Sequence, residues 1–142
     1  GLADTEQVCR HLTQGLGLCA SAADVNGQTP LFFAARSGTP EAVSFLVGEG
    51  ADVDHRDDRG QTPLFFAATA DNRDAARRLL ECRADPNVRD NAHKQTPLFY
   101  GSRGAGSLKA MLEYRADPNA QDIHLQTPLF YAVNARSLEV CT

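Results

Sequence analysis

Gln-Thr-Pro-Leu-Phe occurs four times in this chain, at Gln28–Phe32, Gln61–Phe65, Gln95–Phe99 and Gln126–Phe130, with offsets of 33, 34 and 31 residues. A second element, Ala-Asp-x-Asp/Asn, starts at Ala51, Ala84 and Ala116, with offsets of 33 and 32 residues. Two separate motifs drifting around one period mark a chain of repeated supersecondary units. Each unit is too small to bury its own apolar face and gains stability by stacking on its neighbours.

Each motif has a physical job. Thr29, Thr62, Thr96 and Thr127 stand where an N-cap belongs, with Pro at the first helical position, whose missing N–H would be unpaired there in any case. Apolar runs follow, Leu31-Phe32-Phe33-Ala34-Ala35 in the first copy and Leu64-Phe65-Phe66-Ala67-Ala68 in the second. Such a short, nearly all-apolar helix is expected to be buried on most sides. A second helix is predicted over Pro40–Glu49, with Ala42, Val43, Leu46 and Val47 at helical spacing, and over Arg73–Cys82, with Ala75, Ala76, Leu79 and Leu80. Gly38 and Asp71 fall at the left-handed turn between the paired helices, and the second helices end at Gly50, Arg83 and Arg115. Asp52–Gly60, rich in turn residues, reads as a hairpin-like excursion between units.

The pattern resembles the ankyrin repeat, a unit of about 33 residues built as turn, helix, helix around a Thr-Pro-Leu-His core. The resemblance covers nearly the whole chain and implies an all-α solenoid of stacked helix-turn-helix units with hairpin-like loops. The family's His is replaced by Phe32, Phe65, Phe99 and Phe130, so its hydrogen bond is lost and aromatic packing is expected in its place. The turn Gly before the capping Thr survives at Gly27 and Gly60 but is Lys94 and Leu125 later. The third unit carries one extra residue near Asn91–Lys94 and lacks about two near Gly104–Gly106, which predicts a distorted inter-helix turn. A single array follows: an N-terminal partial unit over residues 1–23 with a helix at Asp4–Gln14, repeats at Asp24–Arg56, Asp57–Arg89 and Asp90–Gln121, and a partial C-terminal repeat at Asp122–Thr142.

Composition fits a folded chain rather than a disordered one, with 42% hydrophobic and 23% charged residues. The net charge of −4 argues against a whole-surface attraction to nucleic acid or anionic membranes. No N-terminal stretch joins basic residues to a long apolar run, so no secretory signal is expected. Cys9, Cys19, Cys82 and Cys141 are widely and irregularly spaced, unlike a disulfide framework or zinc module, which points to an intracellular, reducing compartment.

No constellation for catalysis emerges, and no cofactor or metal is expected. Gly101–Gly106 superficially resembles a phosphate-cradling loop, but such loops need a preceding strand. A helix–helix turn is the better reading. His11, His55, His93 and His124 are read as solvated or partner-contacting rather than metal ligands, because neighbouring repeats stack about 10 Å apart. The Phe pairs recur in every unit, as inter-unit core packing would.

Recognition is instead expected where the units differ. In ankyrin proteins the concave surface is made by the loop fingers and the exposed ends of the first helices. Carried onto this sequence, that face comprises Arg36, Ser37, Arg56, Asp58, Arg59, Thr69, Arg89, Asn91, His93, Lys94, Arg103, Gln121, Ile123, His124 and Asn134. The set is rich in Arg and Lys. The resemblance implies a non-catalytic scaffold that binds another protein through this face, and the basic character of the set points to a partner with an acidic surface. The alternative is a structural accessory subunit of a large assembly with both ends of the array covered. Nucleic-acid binding ranks behind both, and no membrane insertion is expected. The C-terminal end, with Leu129, Phe130, Tyr131 and Val133, is expected to be covered by further repeats or another chain.

Overall fold

The computed structural model describes residues 20–134. The expected helix at Asp4–Gln14, His11, Cys9, Cys19, Cys141 and the start of a last second helix at Leu138 and Val140 lie outside the described residues. Helix α1 spans Pro30–Ser37, α2 Pro40–Gly48, α3 Pro63–Thr69, α4 Arg73–Glu81 and α5 Pro97–Tyr100. A 3-10 turn over Gly101–Arg103 follows, then α6 at Gly106–Glu113 and α7 at Pro128–Asn134. There is no strand among the described residues. First helices stack on first helices and second helices on second, α1 on α3 on α5 and α2 on α4 on α6. This is the all-α repeat solenoid that the period implies.

The ends of the helices explain the recurrent residues. Each second helix closes when the N–H of an Ala reaches back five residues, from Ala51 to the Leu46 carbonyl, Ala84 to Leu79 and Ala116 to Met111, each at 3.0 Å. The residue before each Ala must be left-handed for that bond to form, and Gly50, Arg83 and Arg115 have φ of 95°, 69° and 67°. Ala51, Ala84 and Ala116 are buried in the joint, which makes the small apolar residue of the Ala-Asp motif architectural.

The threonines behave differently from expectation. Thr29, Thr62 and Thr96 do occupy the N-cap position with extended backbone, yet none makes a side-chain cap bond. Their hydroxyls are buried without a hydrogen-bond partner. The reason is local. The N–H that the hydroxyl would receive, that of Phe32, Phe65 or Phe99, is already donated to the Thr backbone carbonyl at 3.0–3.1 Å. The Phe side chain at that position offers the hydroxyl no polar partner in turn.

The core is a line of Leu31, Leu64 and Leu98 from the first helices against Val43, Leu46, Leu79 and Met111 from the second, all at most 2% exposed. The aromatic stripe knits successive units. Phe32 meets Phe66, Phe65 meets Tyr100 and Phe99 meets Tyr131, with ring centroids 5.3, 5.4 and 5.5 Å apart and edges on faces. In the third unit the two-residue deletion cuts α5 to four residues, and the chain passes through the 3-10 turn and extended Gly104 before α6.

Candidate partner interface

Each unit's loop is organised by one carboxylate. Asp24 Oδ1 accepts from the N–H groups of Asn26 and Gln28, Asp57 Oδ1 from Arg59 and Gln61, and Asp122 Oδ1 from His124 and Gln126. The third loop keeps the device despite its extra residue: Asp90 Oδ1 accepts from His93 and Gln95, one residue further along. The finger tips are joined by one backbone bond per junction, Asp58 N–H to Asn26 O, Asn91 N–H to Arg59 O and Ile123 N–H to His93 O, at 3.1, 2.9 and 3.0 Å.

The recurrent Gln residues are staples between units. Gln28 donates to Asp57 Oδ2 at 3.2 Å and Gln95 to Asp122 Oδ2 at 3.0 Å. Gln61 reaches the Tyr100 hydroxyl at 3.2 Å, which itself donates to Asp90 Oδ2 at 2.7 Å. Tyr131 likewise donates to Asp122 Oδ2 at 2.8 Å. Burial pushes the Asp122 carboxyl up, but donors from Gln95, Tyr131 and the Gln126 and His124 backbone outweigh it and bring it down to about 2. Tyr100 is raised by burial and by its bond to Asp90, and Tyr131 by its bond to Asp122 and by burial.

Every residue assigned to the concave face from the sequence is exposed. Several are nonetheless engaged. Arg56 donates from Nη2 to the Arg89 carbonyl at 2.8 Å and to Asn91 Oδ1 at 3.3 Å, and Arg89 donates from Nη1 to the Gln121 carbonyl at 2.8 Å. These two guanidinium groups clamp consecutive fingers while remaining at the surface, a role that residue type alone could not reveal. Arg103, Thr69 and Asn134, at the ends of three successive first helices, come together around a groove of about 750 Å³ floored by Gln95, Phe99, Tyr100, Ser102 and Tyr131. Arg36 and Ser37 stand apart, at the end of α1.

His55 corrects the reading of the histidines as solvated or partner-contacting. It is half-buried, its Nε2 lies 3.0 Å from the Gly27 carbonyl, and its ring stands edge-on to Phe32 at 6.2 Å. It is a joint between units. His93 and His124 are exposed. The Gly101–Gly106 loop is a helix–helix turn, as its context implies. The amide and hydroxyl of Ser107, at the α6 N-terminus, both donate to Asp71 Oδ1 at 3.0 Å, so the protein's own carboxylate sits where an anion would. Cys82 is a free, half-buried thiol. Among the described residues no three His, Cys, Asp or Glu side chains converge as a metal site, and no helix is long and apolar enough to cross a membrane.

Paired helices stacked in register, with fingers projecting from one edge, define a repeat solenoid. The family model for ankyrin repeats (three copies) matches residues 3–90 and again 39–122, and the chain belongs to the ankyrin-repeat family. No curated protein matches it. Ankyrin repeats are generic protein-interaction modules, rigid before they bind.

Proposed function

We propose that this chain is a non-catalytic scaffold that binds a protein with an acidic surface through the fingers and the inner ends of its first helices. The observation that carries this is a division of labour. In the second and third units the recurrent Gln, Thr, Pro, Leu and Phe are buried or bonded to the next unit, whereas the variable positions assigned to this face are exposed. Among the exposed cations, Arg59, Lys94 and Arg103 have no ion-pair or side-chain hydrogen-bond partner among the described residues and are free to meet one. Arg103 stands at a groove lined by the aromatic rings of Phe99, Tyr100 and Tyr131 together with polar Thr69, Gln95, Ser102 and Asn134, which suits an acidic residue among polar and aromatic contacts.

Partners retained by the immobilised chain and identified by mass spectrometry supply the ligand. Its binding to the wild-type chain is then compared with binding to Arg59→Glu/Lys94→Glu/Arg103→Glu. Charge reversal is expected to slow association steeply at low salt. Unchanged affinity and rate would remove the basic-face reading, and capture of nucleic acid with a steep salt slope would replace it.

A structural place in a multi-chain assembly is favoured by a separate observation. Leu129, Phe130 and Val133 on α7 are 57%, 59% and 62% exposed, a patch of the kind that marks an interface.

A further inference from the structure

Where the chain leaves each second helix, short side chains link one unit to the next. Asp54 N–H donates to Asp52 Oδ1 at 3.0 Å, and Asp85 N–H of the second unit donates to Asp54 Oδ1 at 2.9 Å. The pattern repeats one unit on. Asn87 N–H donates to Asp85 Oδ1 at 2.8 Å, and Asp117 N–H of the third unit donates to Asn87 Oδ1 at 2.8 Å. Asp54 and Asn87 are therefore equivalent, 33 residues apart, and each accepts the same bond from its neighbour through the same oxygen.

The two side chains differ in their second polar atom. Asn87 Nδ2 donates to the Arg115 carbonyl at 3.2 Å, so the amide closes the second junction with two bonds. Arg83 is the counterpart of Arg115. Both are left-handed, with φ of 69° and 67°, and both precede the Ala that ends a second helix. In this register Oδ2 of Asp54 is directed at the Arg83 carbonyl, to which no side chain donates among the described residues. A carboxylate there sets acceptor against acceptor, whereas a neutral carboxyl has a proton to donate.

The surroundings of Asp54 favour the neutral form. Burial raises its carboxyl above the ordinary aspartate value; the Asp85 N–H pulls it down, and the negative charges of Asp85 and Asp52 push it up again. Asn87 lies between Asp85 and Asp117 in the same way but has no charge to repel. His55, next in the chain, has its ring engaged with the Gly27 carbonyl and Phe32. At the ends of the packed helices α2 and α4, Glu49 and Arg83 are exposed, and Glu81 is paired with Arg77 and Arg78.

We infer that Asp54 makes the junction between the first and second units proton-dependent: its neutral carboxyl donates to the Arg83 carbonyl, as the Asn87 amide does to Arg115, and its carboxylate leaves the junction one bond short. A carboxyl raised in the folded state opposes the fold above that raised value and ceases to oppose it as pH falls to the unfolded value, about 4. The first junction therefore tightens on acidification from neutral pH, while the second, held by an amide, does not respond. Asp122, which is lowered, acts in the opposite direction and at lower pH. The spacing of the first two fingers is thus set by pH, whatever partner they hold.

The test compares the full wild-type chain with Asp54→Asn and Asn87→Asp by urea unfolding between neutral pH and about pH 4. Asp54→Asn supplies the missing donor, and its folding equilibrium near neutral pH is expected to exceed the wild type's by about fivefold, the value of one hydrogen bond. That gap is expected to close as pH falls, because the wild type then supplies its own proton. The comparison cancels Asp122 and every other group common to both chains. Asn87→Asp moves the device to the second junction and is expected to lose stability near neutral pH and regain part of it in acid. Carbon NMR of the wild type is expected to place the Asp54 carboxyl midpoint above about 4. A gap between wild type and Asp54→Asn that does not change with pH overturns the proposal, as does an Asp54→Asn chain less stable than the wild type near neutral pH. If Asp54→Asn does not fold, the other two measurements decide: a loss in Asn87→Asp that is the same at both ends of the range, or an Asp54 midpoint at or below the ordinary aspartate value, overturns it.

Discussion

The side-chain amide of Gln95 donates to Asp122 Oδ2 at 3.0 Å and to the Tyr131 hydroxyl at 2.9 Å, tying the loop of the third unit to the loop carboxylate and first helix of the fourth. Gln95 is 8% exposed and Asp122 4% exposed. The bond holds a buried carboxylate in its charged form and sets the spacing of two fingers at once.

Replacing Gln95 by Ala leaves that carboxylate with one donor fewer in a dry site. An unsatisfied buried polar group costs about 1–3 kcal/mol. Gln95→Ala is therefore expected to lower stability by about 2 kcal/mol in urea titration. Gln28→Ala, at a half-buried staple with a single partner, is expected to cost about 1 kcal/mol. Equal effects at the two sites would mean that the third junction gains nothing from its tyrosine.

Acid sensitivity follows from the same carboxylate. The folded-state value for Asp122 is brought down to about 2, below that of an unfolded aspartate. A depressed value stabilises the fold fully above pH of about 4 and loses that contribution as pH falls toward 2. Discounted for solvent screening, that contribution is about 1 kcal/mol. Melting temperature should fall over that window and fall less in Asp122→Asn, which is already neutral. Tyr131 acts in the opposite direction: its raised value stabilises the fold below pH of about 10, and that contribution is lost as the phenol ionises.

Much of this architecture is legible along the chain because its causes are local. Proline after threonine, an apolar run, a left-handed residue before Ala and a loop aspartate each act within a few residues. The partners of Gln28, Arg56, Arg89 and His55 were not legible. Each reaches a group 28–33 residues away that becomes adjacent only once units stack in register. The missing threonine cap was hidden differently, because it depends on which acceptor wins the Phe N–H. The face assigned from the family pattern was legible as exposure, but not as a division between Arg residues that clamp fingers and those that are free.

That division has a measurable consequence. Arg56→Glu removes bonds to the Arg89 carbonyl and Asn91, and is expected to cost about 1 kcal/mol in chemical denaturation. Arg103→Glu breaks no such bond and should change stability by less than about 0.5 kcal/mol. Comparable losses at both would show that the clamp adds nothing beyond surface charge.

The buried threonine hydroxyls give a prediction opposite in sign to ordinary helix capping. Removing a working N-cap costs about 1 kcal/mol. The Thr62 hydroxyl caps nothing and is buried without a partner, in a residue that is 0% exposed. Thr62→Val exchanges it for a methyl of similar size and is expected to be neutral or to stabilise by about 1 kcal/mol. A loss of about 1 kcal/mol or more in thermal unfolding would show that the hydroxyl has a partner after all.

The left-handed ends of the second helices give the last prediction. Arg83 and Arg115 occupy φ of 69° and 67°, and Gly50 takes the same place at 95°. An L side chain in this region pays about 1–2 kcal/mol for the approach of its Cβ to the following carbonyl. Glycine avoids that strain but gives the unfolded chain more freedom, which offsets up to about 1 kcal/mol of the gain. Arg83 is exposed, and its side chain bonds to no described group. Arg83→Gly is therefore expected to stabilise by about 0.5–1 kcal/mol. The expectation for Arg115→Gly is the same, because the bond from Asn87 reaches its backbone carbonyl and survives the substitution. Two-state urea titrations of the single and double substitutions should show the gains adding, since the two turns are on different units. If either substitution destabilised the chain, the arginine stem would be packing on its neighbours, and strain would not govern these helix ends.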